Sequence, residues 1–237
     1  MTGTLINVAL VVVGSLLGML IGARLSEDLK RSVISVLGLF CLGFGIKLFI
    51  ETQNSMVVVT SLLIGVLLGE WWQIEKGIQN LGVWLEHRLN RSHESGSDGS
   101  RFVKGFFVSS LLFCVGPMAI LGSIQDGLTG DYQTLAIKAI LDGFASLAFA
   151  SSLGLGVMFS AGPIFIYQGA ITLLAAQVNA LVTETMMVEI TAVGGVLLMG
   201  IAVSNLLEIR QIRVGNFLPA LLAAPFMVLV FQHFGLY

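Results

Sequence analysis

Residues Leu111–Asp131 read LLFCVGPMAILGSIQDGLTGD. The stretch opens as an apolar run of the kind that spans a lipid bilayer, then places Gly116-Pro117 in the middle of that run. Proline removes a backbone donor and clashes with the preceding turn. It also suits the first turn of a helix, and glycine can precede it there. The pair therefore predicts the end of one half-helix and the start of another. Backbone groups freed at membrane depth persist only where protein or a water-filled cavity satisfies them. A half-helix N-terminus also offers free N–H groups and partial positive charge, which suit an anion. Ser123, Gln125, Asp126 and Asp131 follow directly.

A second stretch, MFSAGPIFIYQGAIT (Met158–Thr172), carries Gly162-Pro163 with Tyr167 and Gln168 just downstream. The chain has four prolines, and two of them are in these pairs. Paired Gly/Pro-interrupted segments are the best sequence pointer to a transporter's binding site. The competing reading is that both prolines only kink packed helices.

Of the 237 residues, 56% are hydrophobic and 11% charged. Soluble domains are about 25% charged, so the composition predicts an all-α protein that crosses the membrane many times. Met1-Thr-Gly-Thr lacks the positive region of a signal peptide, and the first apolar run reads as a retained span. Cys41 and Cys114 sit in apolar runs and read as packing residues; with three scattered histidines they predict no metal site.

A span needs about 20 apolar residues. Eight stretches are candidates, the third of them short, at roughly Gly3–Gly22, Val33–Ile50, Met56–Gly69, Gly105–Gln125, Thr134–Ser151, Val157–Ala176, Ile190–Leu207 and Gly215–Phe234. The fifth and sixth are joined by Ser152-Leu-Gly-Leu-Gly without a charge, so a re-entrant pair is the alternative there, with seven or eight spans in total. Arg24, Lys30 and Arg31 follow span one, Lys76, Arg88, Arg91, Arg101 and Lys104 follow span three, and Arg210 and Arg213 follow span seven. The intervening loops carry Glu51, Asp126, Asp131, Glu184 and Glu189. The positive-inside rule then expects both termini outside.

Gly14, Gly18 and Gly22, and likewise Ser61, Gly65 and Gly69, recur four apart and predict close helix packing within the subunit or across a dimer. Between Trp71 and Asn90 the apolar residues Trp71, Ile74, Ile78, Leu81 and Leu85 recur at helical spacing among charges, which predicts an amphipathic helix in the cytoplasmic interface. Arg91–Arg101 (RSHESGSDGSR) is polar and Gly/Ser-rich and reads as a flexible cytoplasmic loop. The whole chain, residues 1–237, reads as one polytopic membrane domain. Sliding the chain by 157 positions puts Gly38 on Gly195, Gly43 on Gly200 and Glu51 on Glu208, a candidate inverted repeat of spans one to three on six to eight. That register does not pair the two Gly-Pro segments with each other.

Lys138 and Asp142 stand four apart on one face of span five, with Asp142 near its middle. An ionisable residue at that depth marks a function or a structural ion pair. Gln125 and Gln168 rank above the other neutral polar residues because each follows a Gly-Pro. Asn205 and Asn216 are secondary candidates, Asn216 preceding Pro219 in GNFLPALLAAP, and Asn7 ranks below them.

Phe113–Asp131, Ile137–Val157 (IKAILDGFASLAFASSLGLGV) and Ile166–Ala175 (IYQGAITLLA) resemble the bacterial membrane-protein family catalogued as domain of unknown function 554. The resemblance covers essentially the whole chain. It implies a multi-pass protein of the bacterial inner membrane and carries over Gly116, Ser123, Gln125, Asp126, Gly127, Asp131, Asp142 and Gln168 as signature positions. It implies no mechanism.

The residues together predict a small secondary transporter rather than an enzyme, with no nucleic-acid partner and no resident cofactor. The solute, small and polar or anionic, would bind near the midplane at Gly116, Pro117, Ser123, Gln125, Gly162, Pro163 and Gln168. Asp142, with Lys138 and Asp126, would couple it to H⁺ or Na⁺. A homodimer is expected from the short chain and the small-residue stripes. A channel or a non-transporting sensor or assembly protein is the alternative.

Overall fold

The computed structural model describes residues 1–89 and 97–237, with the side chains of residues 81, 82, 85–89, 97–100 and 117 left aside. It is all-helical, with no strand among the described residues. In chain order the helices are α1 (Thr2–Gly22), α2 (Glu27–Ile50), α3 (Ser55–Trp72), α4 (Ile74–Leu89), α5 (Ser97–Cys114), α6 (Pro117–Thr129), α7 (Gln133–Leu153), α8 (Leu155–Phe159), α9 (Ala161–Leu173), α10 (Ala175–Leu181), α11 (Glu184–Ile201) and α12 (Pro219–His233). A π-helical turn at Ala202–Leu206 extends α11, and a 3₁₀ turn at Val214–Phe217 precedes α12.

Among the described residues, seven helical stretches are long and apolar enough to cross a membrane, and an eighth is a bent pair. The seven are Thr2–Gly22, Glu27–Ile50, Ser55–Trp72, Gln133–Leu153, Leu155–Leu173, Glu184–Leu206 and Val214–His233. The pair is Arg101–Cys114 with Met118–Thr129, bent by 61°. Gly116 makes the bend with φ +125°, a conformation that side chains with a Cβ rarely adopt, and Pro117 opens α6.

The second Gly-Pro departs from expectation. Leu155–Leu173 reads as one span, without a comparable bend at Gly162-Pro163. Pro163 falls in the first turn of α9, where its missing donor costs little, and the amide of Ile164 still reaches the Ser160 carbonyl at 3.1 Å. The sharp break in this region is at Gly154 (φ +73°), which ends α7; at Ser160 a turn separates α8 from α9 without a bend like that at Gly116.

The chain divides into two compact units. Unit one comprises Met1–Leu37, Gln79–Cys114 and Met118–Val178; unit two comprises Gly38–Ile78, Val115–Pro117 and Asn179–Tyr237. In unit one α1 lies along α7. A methyl group on Gly14 would fall on the Gly143 carbonyl and the Ser146 hydroxyl, one on Gly18 on the Leu147 carbonyl, and one on Gly22 on the Ser151 carbonyl. In unit two Gly65 and Gly69 play the same part against Ala220 and Asn216, and Gly45 and Gly195 face each other, a Cβ on either lying 2.6 Å from the other's carbonyl oxygen. Both small-residue stripes are therefore used inside the protomer.

The expected interfacial helix over 71–90 starts later. Trp71 and Trp72 close α3, Gln73 turns the chain in the left-handed region at φ 53°, and the amphipathic helix is α4. Of the expected flexible loop, residues 91–96 lie outside the described residues, and Ser97–Arg101 form the start of α5.

Candidate functional site

In unit one α7 buries Leu135, Lys138, Ala139, Asp142 and Ser146 on one face. This face is an i, i+3/i+4 stripe, so the carboxylate and the ammonium four residues apart meet. Lys138 Nζ and Asp142 Oδ2 form an ion pair, both side chains about nine-tenths buried. The facing residue on α1 is Asn7, which is fully buried and donates from Nδ2 to Asp142 Oδ2 at 3.0 Å. Its own Oδ1 has no partner. The Cys114 thiol, closing α5 just before the Gly116 bend, lies within electrostatic range of Lys138 and Asp142, and Tyr167 within range of Cys114.

α9 runs antiparallel to α1 in the same unit. A Cβ at Gly169 would lie 3.5 Å from Met1 Cε, and Ala161 and Ile164 pack in one cluster with Val11 and Phe113. Gln168, on the buried face of α9, therefore stands at the depth of Thr4 and Asn7. It is 0% exposed, and neither Nε2 nor Oε1 has a partner. Thr172, one turn on, and Thr4 are also buried with unpartnered hydroxyls. Among the described residues, every buried side-chain nitrogen or oxygen without a partner belongs to unit one. An unpaired buried amide costs about 1–3 kcal/mol, so the arrangement is one in which a polar ligand or water would lower the energy.

The other expected residues have assigned local partners or lie apart. Ser123 is buried and donates to the Ala119 carbonyl at 2.6 Å. Gln125 is exposed and accepts from Thr134 Oγ1 at 2.8 Å. Asp126 is buried and accepts from the Gly3 amide and the Met1 amino group, each at 3.0 Å, so it caps the N-terminus of α1. Asp131 is exposed just ahead of α7 and accepts from the Gln133 amide at 3.0 Å. Gly162 is exposed, with open space around its Cα, and Pro163 is half-buried. Asn205 is half-buried in the π-helical turn. Asn216 is buried and accepts from the Glu75 amide at 2.8 Å, while Glu75 Oε2 accepts from the Gly215 amide at 2.6 Å.

A family described as "Protein of unknown function (DUF554)" matches residues 2–229. The chain belongs to this family. Two relatives share nearly full length with it. "Uncharacterized protein YqgA" of Escherichia coli (strain K12) is 36% identical over 222 residues, 94% of each chain. "Uncharacterized membrane protein YdfK" of Bacillus subtilis (strain 168) is 30% identical over 240 residues, covering 100% of this chain and 99% of its own. No solved structure matches. The name of the Bacillus subtilis relative fits the all-helical architecture with its candidate spans, and family membership assigns no function.

Two residues of this family member were undervalued from the sequence. Asn7 ranked low because its one asset, the carboxylate of Asp142, lies 135 residues away. Glu189 read as a loop acid, yet it is fully buried in α11 of unit two. Its carboxylate accepts from Thr52 Oγ1 (2.6 Å), the amides of Gln53 (2.9 Å) and Asn54 (3.1 Å), and the Tyr237 hydroxyl (2.9 Å), so it anchors the entrance to α3. Burial and then the Glu189 carboxylate push the Tyr237 phenol up to about 12. The signal that could have found Glu189 was its place at the edge of an apolar run, five residues into the helix that Glu184 opens.

Proposed function

We propose that this chain is a small secondary transporter of the bacterial inner (plasma) membrane, moving a small polar or anionic solute coupled to H⁺ or Na⁺. In this reading the solute binds in unit one beside Asn7, Lys138, Asp142 and Gln168, and Asp142 carries the coupling ion. The observation that carries the reading is Gln168, a fully buried amide bonded at neither end, one helix from a buried ion pair. Its unmet hydrogen bonds and the intramembrane carboxylate both mark a working site rather than a scaffold. Termini outside and basic loops in the cytoplasm complete the topology under the positive-inside rule.

An inverted repeat of spans one to three on six to eight belongs to the same reading; it cuts across the two compact units rather than following them. A homodimer would need a surface other than the two glycine stripes, which meet partners in their own protomer. The reading involves no enzymatic step and no resident cofactor.

The test is thermal stability of the purified protein against a panel of small solutes, with and without Na⁺, at two pH values. A ligand at 100 times its Kd adds about 2.7 kcal/mol to the folded state. A solute that stabilises the wild type, in a Na⁺- or pH-dependent way, and fails to stabilise Gln168→Met is the expected result. Uncoupled conductance in bilayers, far above transporter turnover, would replace the transporter reading with a channel. Full function in a Gln168→Met, Asp142→Asn variant, with loss on deleting α4, would replace it with a docking role.

A further inference from the structure

Unit one carries a second polar feature at the end of α1 away from Asp126. Where Gly22 meets Ser151, a cavity of about 280 Å³ is lined by Gly22, Lys30, Arg101, Ser152 and Gly154 together with apolar neighbours. Its volume is close to the lower end of ligand pockets, ~300–1,000 Å³. Lys30 and Arg101, from different helices, both hold the Glu27 carboxylate, at 2.9 and 2.5 Å. The two cations thus converge on one carboxylate position. Glu27 is 55% exposed there and can yield the position to another anion. The Ser152 residue is 4% exposed, and its hydroxyl has no partner.

Unpartnered hydroxyls continue inward from this mouth. Ser15 lies one turn from Val11 on the side of Gly22, and Ser109 one turn from Phe113 on the side of Phe102. Val11 and Phe113 share one cluster, and Phe102 lines the cavity. Ser15 and Ser109 therefore stand at one depth, between the cavity and that cluster. Both are fully buried, and neither hydroxyl has a partner, nor has that of Ser110. One turn beyond Val11 comes the unpartnered Oδ1 of Asn7 beside Asp142. From Gly22 to Asn7 the helix rises ~22 Å at ~1.5 Å per residue. Serine and threonine hydroxyls in membrane helices ordinarily bond a carbonyl three or four residues back, as Ser61, Ser123, Ser160 and Thr191 do here. The unpartnered set breaks that habit at successive depths of one unit.

We infer that these hydroxyls line a hydrated path that admits a small anionic group from the Lys30–Arg101 mouth to the Asn7–Asp142 site. Hydroxyls and water donate to an anion, cations at the mouth raise its local concentration, and Lys138 stands at the far end. The inference takes only its destination from the transporter reading. The carbonyl ends of α1 and α7 also gather at the mouth, so Lys30 and Arg101 offset partial negative charge there as well.

The test separates that structural role from anion admission. Ser152→Cys, Ser109→Cys and Ser15→Cys are made singly in the full chain, reconstituted in vesicles. Each is reacted with an anionic sulfonatoethyl thiosulfonate and a cationic trimethylammonioethyl thiosulfonate, with the wild type, which keeps Cys41 and Cys114, as background. All three are expected to react above background, the anionic reagent about tenfold faster, and Leu141→Cys on the exposed face of α7 to stay at background. Lys30→Gln with Arg101→Gln should bring the two rates together. Ser15→Cys and Ser109→Cys unreactive to both reagents would overturn the path, and a cationic reagent equal or faster would overturn its anionic character. No solute enters this experiment, so it can fail while the solute test at Gln168 succeeds, and the reverse.

Discussion

Replacing Gln168 by Met should make the protein more stable and, on the transporter proposal, abolish the stabilisation by solute expected of the wild type. The side chain sits fully buried on α9 with both amide atoms unpartnered. Methionine keeps the length and nearly the volume of glutamine while removing the polar atoms, so little cavity or overpacking is expected. The gain is the cost of an unmet buried amide, about 1–3 kcal/mol. For a chain of this size ~1 kcal/mol corresponds to about 2–4 °C in Tm, so a rise of roughly 2–12 °C is expected in thermal unfolding of the detergent-solubilised protein. Glu189→Met in the same assay is the internal control and should fall sharply, because it removes the acceptor for four donors. A lower Tm for Gln168→Met would mean that the amide is bonded in the folded protein, and the argument that it awaits a ligand would be refuted. A stabilised protein that still answers to the solute would refute the assignment of Gln168 to the site.

Asp142→Asn leaves the buried Lys138 ammonium without its counter-charge and should cost about 3–5 kcal/mol, whereas Lys138→Met combined with Asp142→Leu should recover most of that stability. Uptake into proteoliposomes should be lost in both, and a double variant that transports would show the pair to be scaffold. Glu189→Gln weakens charge-assisted bonds worth ~1.5–3 kcal/mol each and should destabilise unit two. The Tyr237 phenol holds its proton more tightly in the folded state, about 12 against 10.0, so stability should fall as pH rises across that interval. Ultraviolet absorbance of the phenolate should show the step moving to lower pH in Glu189→Gln. Gly14→Ala drives a methyl into the Gly143 carbonyl and should cost ~1–3 kcal/mol or more, while Gly43→Ala, with nothing within 4 Å, should gain ~0.5–1 kcal/mol; denaturant titration checks both.

The amino-acid sequence determined the features whose physics is local. Apolar length set the spans, because a helix crossing lipid satisfies its own backbone within each turn. Gly116-Pro117 set the bend of the fourth span for the same reason, and the four-residue spacing of Lys138 and Asp142 set their pairing. What each polar atom meets is decided between segments far apart in the chain, and there only the tertiary structure spoke. Asn7 reaches Asp142 across 135 residues, and Thr52 reaches Glu189 across 137. Gln125 and Gln168 looked alike beside their Gly-Pro pairs, yet one bonds Thr134 at an exposed helix end and the other is buried unbonded. Gly162-Pro163 looked like Gly116-Pro117, but Pro163 falls in the first turn of α9, where its missing N–H costs that helix no bond, and Gly162 does not take the positive φ with which Gly116 turns the chain. The glycine stripes were legible as contact surfaces, but whether α7 or a second protomer filled them depended on the path of the whole chain.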